Sequence, residues 1–190
     1  MKILLGVTGS VAAVLTPKLA KGLLLAGHEV QIVATTPALF FLPNLDCSRL
    51  LIPGSDLAVT VHTDKDEWPS NGYFKNDPVL HIEFRTWADV FLIAPLTANT
   101  LAKLANGLAD NFLTCIARAW PKEKPFLLAP AMNTEMWIDP ITETQINQLR
   151  LRYQKLRLIS PIKKVLACGE EGLGAMAEIK TIIEVVATAL

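Results

Sequence analysis

Four short strand-like runs, each ending in a turn of small, hydroxyl or amide residues, constrain this chain more than any other feature. They are "KILLGVT" (2–8), "EVQIVAT" (29–35), "ADVFLIAP" (88–95) and "KPFLLAP" (124–130). A strand covered on one face alternates apolar and polar residues, whereas a continuous apolar run such as the first is expected of a parallel strand covered on both. Helical segments lie between the runs. Ser10 is placed to cap a helix whose apolar positions Val11, Leu15, Leu19 and Leu23 recur every fourth residue, and Gly27 closes it. Pro17 removes a backbone donor and is expected to bend that helix. Residues 98–120 predict one broken or two short helices, 139–154 a polar-faced helix, 156–161 a short strand and 178–190 a terminal helix. Residues 43–79 carry Pro43, Pro53, Pro69 and Pro78 and read as irregular, and the glycine-rich 162–178 reads as neither helix nor strand.

Alternation of this kind predicts an α/β fold: a doubly wound parallel sheet in three layers, Rossmann-like and flavodoxin-like. At 190 residues the chain suits one domain, 1–190, and is short for two. Eighteen Lys plus Arg balance eighteen Asp plus Glu, so no basic nucleic-acid footprint is present. No apolar run approaches the ~18 residues of a membrane span. The start superficially resembles a signal peptide. Gly6 and Gly9 interrupt it and no A-x-A site follows, so it is expected to be a first strand and turn. Three cysteines, Cys47, Cys115 and Cys168, are odd in number and widely spaced. That argues against a disulfide framework or a zinc site, and for the reducing cytoplasm.

Ligands of doubly wound sheets bind at the carboxyl ends of the strands. Those ends read "GSV", "TTP", "PLTANT" and "PAMN". Gly9 and Ser10 form a strand-to-helix turn able to hold an anion at a helix N-terminus, but not the G-x-G-x-x-G of a dinucleotide site. Thr97, Asn99 and Thr100 open a second helix, where plain capping explains them as well as ligand binding does. Two such turns on neighbouring strands together favour a mononucleotide phosphate. From its surroundings alone His81, before the third run, reads more readily as a structural residue than as a site, Cys115 reads as helix packing, and Cys47 has no supporting chemistry. Cys168 beside Gly169 sits in a segment free to close over a ligand. "PAMNTEMW" (130–137) places a neutral amide, Asn133, and three bulky side chains where a buried strand should simply end.

Taken in order, "PVLHIEFRTWAD", "APLTANT", "PAMNTEMW" and "KKVLACGEEGLGAMAE" resemble the homo-oligomeric flavin-containing cysteine decarboxylases over nearly the whole chain. The resemblance implies bound FMN and oxidation of a cysteine-derived thiol to a thioaldehyde, from which carbon dioxide leaves readily. The cysteine-bearing flap, about 161–178, implies 4'-phosphopantothenoylcysteine as substrate and 4'-phosphopantetheine as product, the enethiol being re-reduced. By the same resemblance His81 is the base, Asn133 holds the substrate carboxylate and Cys168 supplies the proton for the final reduction. Met136, Val165, Leu166 and Ala167 shape the substrate site. Flavin contacts carry over to Gly9, Ser10, Val11, Thr35, Thr36, Pro37, Thr97, Ala98, Asn99, Thr100 and Ala131. Two positions depart from the family pattern at the flavin: Thr97 stands for its usual serine, and Pro37 lacks the N–H of the residue it replaces. Glu170 stands for the commoner aspartate of the flap. Family members form trimers or dodecamers of trimers, with the flavin near a subunit interface. A peptidyl-cysteine decarboxylase would not need Cys168, a flavin prenyltransferase would lack the P-A-M-N turn, and a phosphatase-binding regulatory relative would carry long acidic extensions.

Overall fold

The four apolar runs form the middle of an eight-stranded sheet in the computed structural model, which describes residues 1–43, 45–46, 48–70, 72–165 and 171–190. Its strands are β1 (Lys2–Val7), β2 (Glu29–Ala34), β3 (Leu45–Asp46), β4 (Arg49–Leu51), β5 (Ala58–His62), β6 (Val90–Leu96), β7 (Phe126–Pro130) and β8 (Leu156–Leu158). They lie in the order β3-β4-β5-β2-β1-β6-β7-β8, parallel from β5 through β8, with β3 and β4 antiparallel at one edge. The parallel strands alone follow the 3-2-1-4-5-6 order of the Rossmann fold, and without β5 they follow the flavodoxin order. In both, winding reverses beside β1. Here the reversal falls between β1 and β6, which pair with Leu5 opposite Leu92.

Helices α1 (Thr16–Leu25), α2 (Thr36–Leu39), α3 (Asp64–Glu67), α4 (Leu80–Trp87), α5 (Ala98–Asn106), α6 (Phe112–Ala119), α7 (Thr134–Ile138), α8 (Pro140–Arg152) and α9 (Ile179–Ala187) complete the described fold, with an antiparallel hairpin of β9 (Ile162–Val165) and β10 (Glu171–Ala175). Because successive strand side chains point to opposite faces, β1 feeds two cores. Ile3, Leu5 and Val7 join Leu19 and Leu23 of α1 and Ile182 and Val186 of α9. Leu4 joins Phe91 and Ile93 of β6, Leu101 of α5, Phe112 and Ile116 of α6 and Leu149 of α8. Gly22 lets α1 and α9 approach closely, since a Cβ there would collide with Ile183 Cδ1.

Three expectations are corrected. Pro17 does not bend a helix. Ser10 caps a 3-10 turn, Val11–Leu15, and α1 begins at Thr16 with Pro17 in its first turn, where no N–H is required. The span 43–79 is not wholly irregular. It contains α3 and three strands, of which β5 extends the parallel sheet through Val61 opposite Ile32; its five residues were obscured by flanking prolines and charge. The glycine-rich 162–178 contains the β9–β10 hairpin, whose pairing shifts register between Leu173 and Ala175. Main-chain hydrogen bonding made these strands, not hydrophobic pattern. His81, moreover, lies on a helix, α4, rather than in an irregular approach to β6.

The second core is anchored by Phe91, which is fully buried, stacks on Phe126 at 5.1 Å between centroids and meets Trp120 at 5.3 Å. Phe91→Ala is expected to lower stability by about 3–5 kcal/mol in urea denaturation. A loss below about 1 kcal/mol would mean that this core collapses around the missing ring.

Candidate active site

The carboxyl edge of the sheet is held together by a residue that stands out only as a hydroxyl at the end of an apolar run. Thr8 is fully buried. Its hydroxyl donates to Pro95 O at 2.8 Å and accepts the Thr97 N–H at 2.9 Å, locking the turn after β1 to the turn after β6. On either side, Thr35 N–H donates to Val7 O at 3.0 Å and Ala131 N–H to Leu96 O at 2.9 Å. The first and second turns also touch: a methyl group on Gly9 would lie 2.5 Å from Pro37 Cβ. Gly9 to Val11, Thr35 to Pro37, Thr97 to Thr100 and Ala131 are thus set side by side by hydrogen bonds and one close approach.

The capping reading of Thr97 is correct. Its Oγ1 accepts the Thr100 N–H at 3.3 Å and lies 3.2 Å from the Thr100 hydroxyl. That leaves Ala98 and Asn99 as the first N–H groups of a nine-residue helix, at the positive end of its dipole. Ser10 Oγ accepts from Ala12 N–H at 3.3 Å, while Ser10 N–H is committed to Thr8 O at 2.7 Å. Pro37 brings no donor, and its ring instead packs against Gly9. Open helix donors, hydroxyls and small side chains at Gly9, Ala98 and Ala131 suit a phosphate with a polyol tail. The row therefore fits FMN.

Above this edge is a cleft of about 280 Å³, lined by Ser10, Val11, Ala131, Met132, Asn133 and, from the hairpin, Val165 among others. The hairpin is docked on the turn after β7, with Met132 N–H donating to Gly174 O at 3.0 Å. Gly174 has φ +154°, and a Cβ there would collide with Met132 O, so this contact requires glycine. Asn133 is the N-cap of α7, its Oδ1 accepting the Glu135 N–H at 2.8 Å. The amide after β7 therefore has a structural task as well as a place in the cleft wall. Met136, on α7, is 54% exposed and does not line the cleft. Leu166, Ala167 and Cys168, with Cys47, lie outside the described residues. Thr36 borders a second hollow with Asp64, to which its hydroxyl donates at 3.2 Å.

His81 is elsewhere. It lies on α4, whose Leu80, Phe84 and Trp87 pack on the α5–α6–α8 side of the sheet, and it does not line the cleft. Its Nδ1 lies 2.6 Å from Glu67 Oε1, and its backbone N–H donates to Glu67 Oε2 at 3.0 Å. Cys115, on α6, is partly buried and donates to Ala109 O at 3.4 Å. Burial, then the Glu67, Asp110 and Asp64 carboxylates, push its thiol up, so it stays protonated near neutrality. Among the described residues no group of three His, Cys, Asp or Glu could hold a metal ion, and no helix is long and apolar enough to cross a membrane.

A parallel sheet that reverses beside β1, with two helix-start turns at the reversal, defines a mononucleotide-binding α/β protein. The chain belongs to the Flavoprotein family, which matches residues 1–190. It is 47% identical over 185 residues to a phosphopantothenoylcysteine decarboxylase of Mus musculus, covering 96% of this chain and 83% of that protein. Among solved structures it is similar to a PPC decarboxylase cysteine-to-serine mutant complexed with pantothenoylaminoethenethiol, at 48% identity and TM-score 0.87, over 98% of this chain and 96% of that one. The FMN-binding protein AtHal3 is similar at 49% identity and TM-score 0.82, over 98% and 95% of the two chains.

Two substitutions test the edge. Thr8→Val keeps the shape but strands Thr97 N–H and removes the donor to Pro95 O. It is expected to cost about 1–3 kcal/mol in denaturant unfolding. Gly9→Ala forces Pro37 away and is expected to weaken FMN binding about tenfold, equivalent to ~1.4 kcal/mol. Unchanged affinity in an FMN titration would mean that the two turns need not touch.

Proposed function

We propose that this chain is an FMN-dependent carboxy-lyase that converts 4'-phosphopantothenoylcysteine to 4'-phosphopantetheine in coenzyme A biosynthesis. The observation that carries the reading is the cleft itself, in which the Asn133 amide stands beside the small-residue turns suited to FMN. Gly9 to Val11, Thr35 to Pro37, Thr97 to Thr100 and Ala131 would hold the cofactor. Bound there, FMN would supply a two-electron acceptor for oxidation of the substrate thiol and a donor for the closing reduction. The protein's own groups position substrate and move protons. His81 takes the proton released as the thiol is oxidised. Asn133 binds the carboxylate as a neutral amide, whose hydrogen bond does not oppose its conversion to uncharged carbon dioxide as a cation would. Val165, Leu166 and Ala167 would contact the substrate, and Cys168 would donate the proton that completes reduction of the enethiol. Related chemistry supports the last role: the similar cysteine-to-serine mutant is the one complexed with an ethenethiol.

His81 does not line the cleft that Asn133 borders, so we assign the base of each cleft to a neighbouring copy of the chain, in a homotrimer or a dodecamer of trimers. Exposed Val11 and Val14 beside the cleft, and Val79 and Ile82 beside His81, are the apolar surfaces such an assembly would cover. The whole chain would act as one flavoprotein unit, placed in the cytoplasm by its sparse, widely spaced cysteines.

The decisive experiment incubates purified yellow protein with 4'-phosphopantothenoylcysteine and follows carbon dioxide and 4'-phosphopantetheine. A protein that takes up no FMN, or binds it without turnover, defeats the reading. Asn133→Asp sets like charges together in a closed site and should lower turnover by about a hundredfold or more while FMN stays bound. Cys168→Ser should still bleach the flavin and release carbon dioxide, but accumulate the unsaturated thiol. Co-expressed His81→Asn and Asn133→Asp chains should regain part of the activity that each lacks alone, because a mixed assembly contains clefts with both native groups. Mixtures as inactive as the separate variants would place His81 and Asn133 in the same copy's site, or remove one of them from the chemistry.

A further inference from the structure

Glu67 lies between two donors of one residue. Its side chain is 5% exposed, and its oxygens accept separately from His81: Oε1 faces Nδ1 at 2.6 Å and Oε2 takes the backbone N–H at 3.0 Å. A buried carboxylate is costly without such partners. The backbone contact has a local cause. His81 is the second residue of α4, and the N-cap of that helix is Val79, which has no side-chain acceptor. Glu67 reaches over from α3 to cap a helix that cannot cap itself, with its charge at the favourable end of the dipole.

Capping alone would not require the ring. Both oxygens of a carboxylate accept only, so this contact puts a proton on Nδ1, and in the neutral ring Nε2 is then the bare nitrogen. We propose that Glu67 is a positioning residue for His81, holding the imidazole in the Nδ1–H tautomer and turning Nε2 outward as the proton acceptor for the substrate thiol. This rests on the reading of His81 as the base. The other ionisable groups on the elements packed around the ring do not compete for it. Asp64 is engaged by Phe112 N–H at 2.8 Å and by Thr36, Asp66 by Thr63 N–H at 2.7 Å, and Arg85 by Ala119 O at 2.9 Å. Lys65 of α3, Glu83 of α4, and Cys115 and Arg118 of α6 make no described hydrogen bond to His81. With the His81 side chain 26% exposed, the imidazole is open to a ligand outside its own fold.

Glu67→Gln separates the cap from the ring. An amide has one acceptor and one donor end, so it can serve the backbone N–H only by turning its NH₂ toward Nδ1, which reverses the tautomer. The variant is expected to keep FMN and a melting temperature near that of the wild type. Nitrogen-15 NMR of the neutral ring should show the proton moving from Nδ1 to Nε2. Flavin bleaching by substrate should slow at least about tenfold with substrate affinity nearly unchanged. Wild-type bleaching by Glu67→Gln, when His81→Asn does not bleach, would overturn this inference alone. Normal bleaching by His81→Asn would remove the base assignment and this inference with it. Should Glu67→Gln fail to fold, the wild-type ring decides: a proton on Nε2 overturns the proposal.

Discussion

From Ile3 to Val7, β1 is buried on both faces and paired along both edges, so beyond Lys2 neither its side chains nor its main chain can meet water. Everything polar that it offers is therefore concentrated at its exit. There the chain leaves on one side of the sheet toward α1, while β6 beside it leaves toward α5 on the other. The divergence opens a gap between the two turns. Buried Thr8 spans it, with one hydroxyl acting as donor to Pro95 O and acceptor for Thr97 N–H. A hydrogen bond left unmade in that place would cost more than a typical one contributes, because neither partner can turn to solvent. The site rests on this constraint, since it sets the spacing between the Gly9–Ser10 turn and the start of α5.

The same economy appears at Asn133 and Gly174. Asn133 caps α7 with its oxygen, so the side chain that forms part of the cleft wall is fixed by the helix it starts. Gly174 accepts Met132 N–H and tolerates a contact with Met132 O that no other residue allows. In this way the roof of the cleft is tied to its floor through main-chain atoms. Precise placement of polar groups in such sites depends on supporting contacts of this kind.

The cofactor row and the amide gather where the turns after β1 and β7 meet the hairpin. The imidazole and its carboxylate belong to the α3–α4 corner, outside that cleft. On the proposed assignment of His81 as the base, a monomer would present two half-sites. Assembly of copies is the economical way to unite them, and it would cover apolar side chains that a lone chain leaves in water.

The sequence by itself determined the layers. Continuous apolar runs broken at small residues are best satisfied as parallel strands buried on both faces, so the four central strands and their carboxyl-end turns were legible within a residue or two, and most of the helices between them with looser ends. The motifs at those turns also carried the family resemblance, with Asn133 and the Thr97–Thr100 turn at its centre. Short elements were not legible. β5 owes its form to a partner distant in sequence and the β9–β10 hairpin to main-chain pairing, and a five-residue strand among prolines carries too little periodicity to declare itself. Nor could the sequence join Thr8 to Thr97, or Glu67 to His81, across 89 and 14 residues. Hydrophobic pattern is a property of neighbours along the chain, and it chose the sheet. Hydrogen-bond partnership is a property of neighbours in space, so only the tertiary structure decided which donor meets which acceptor.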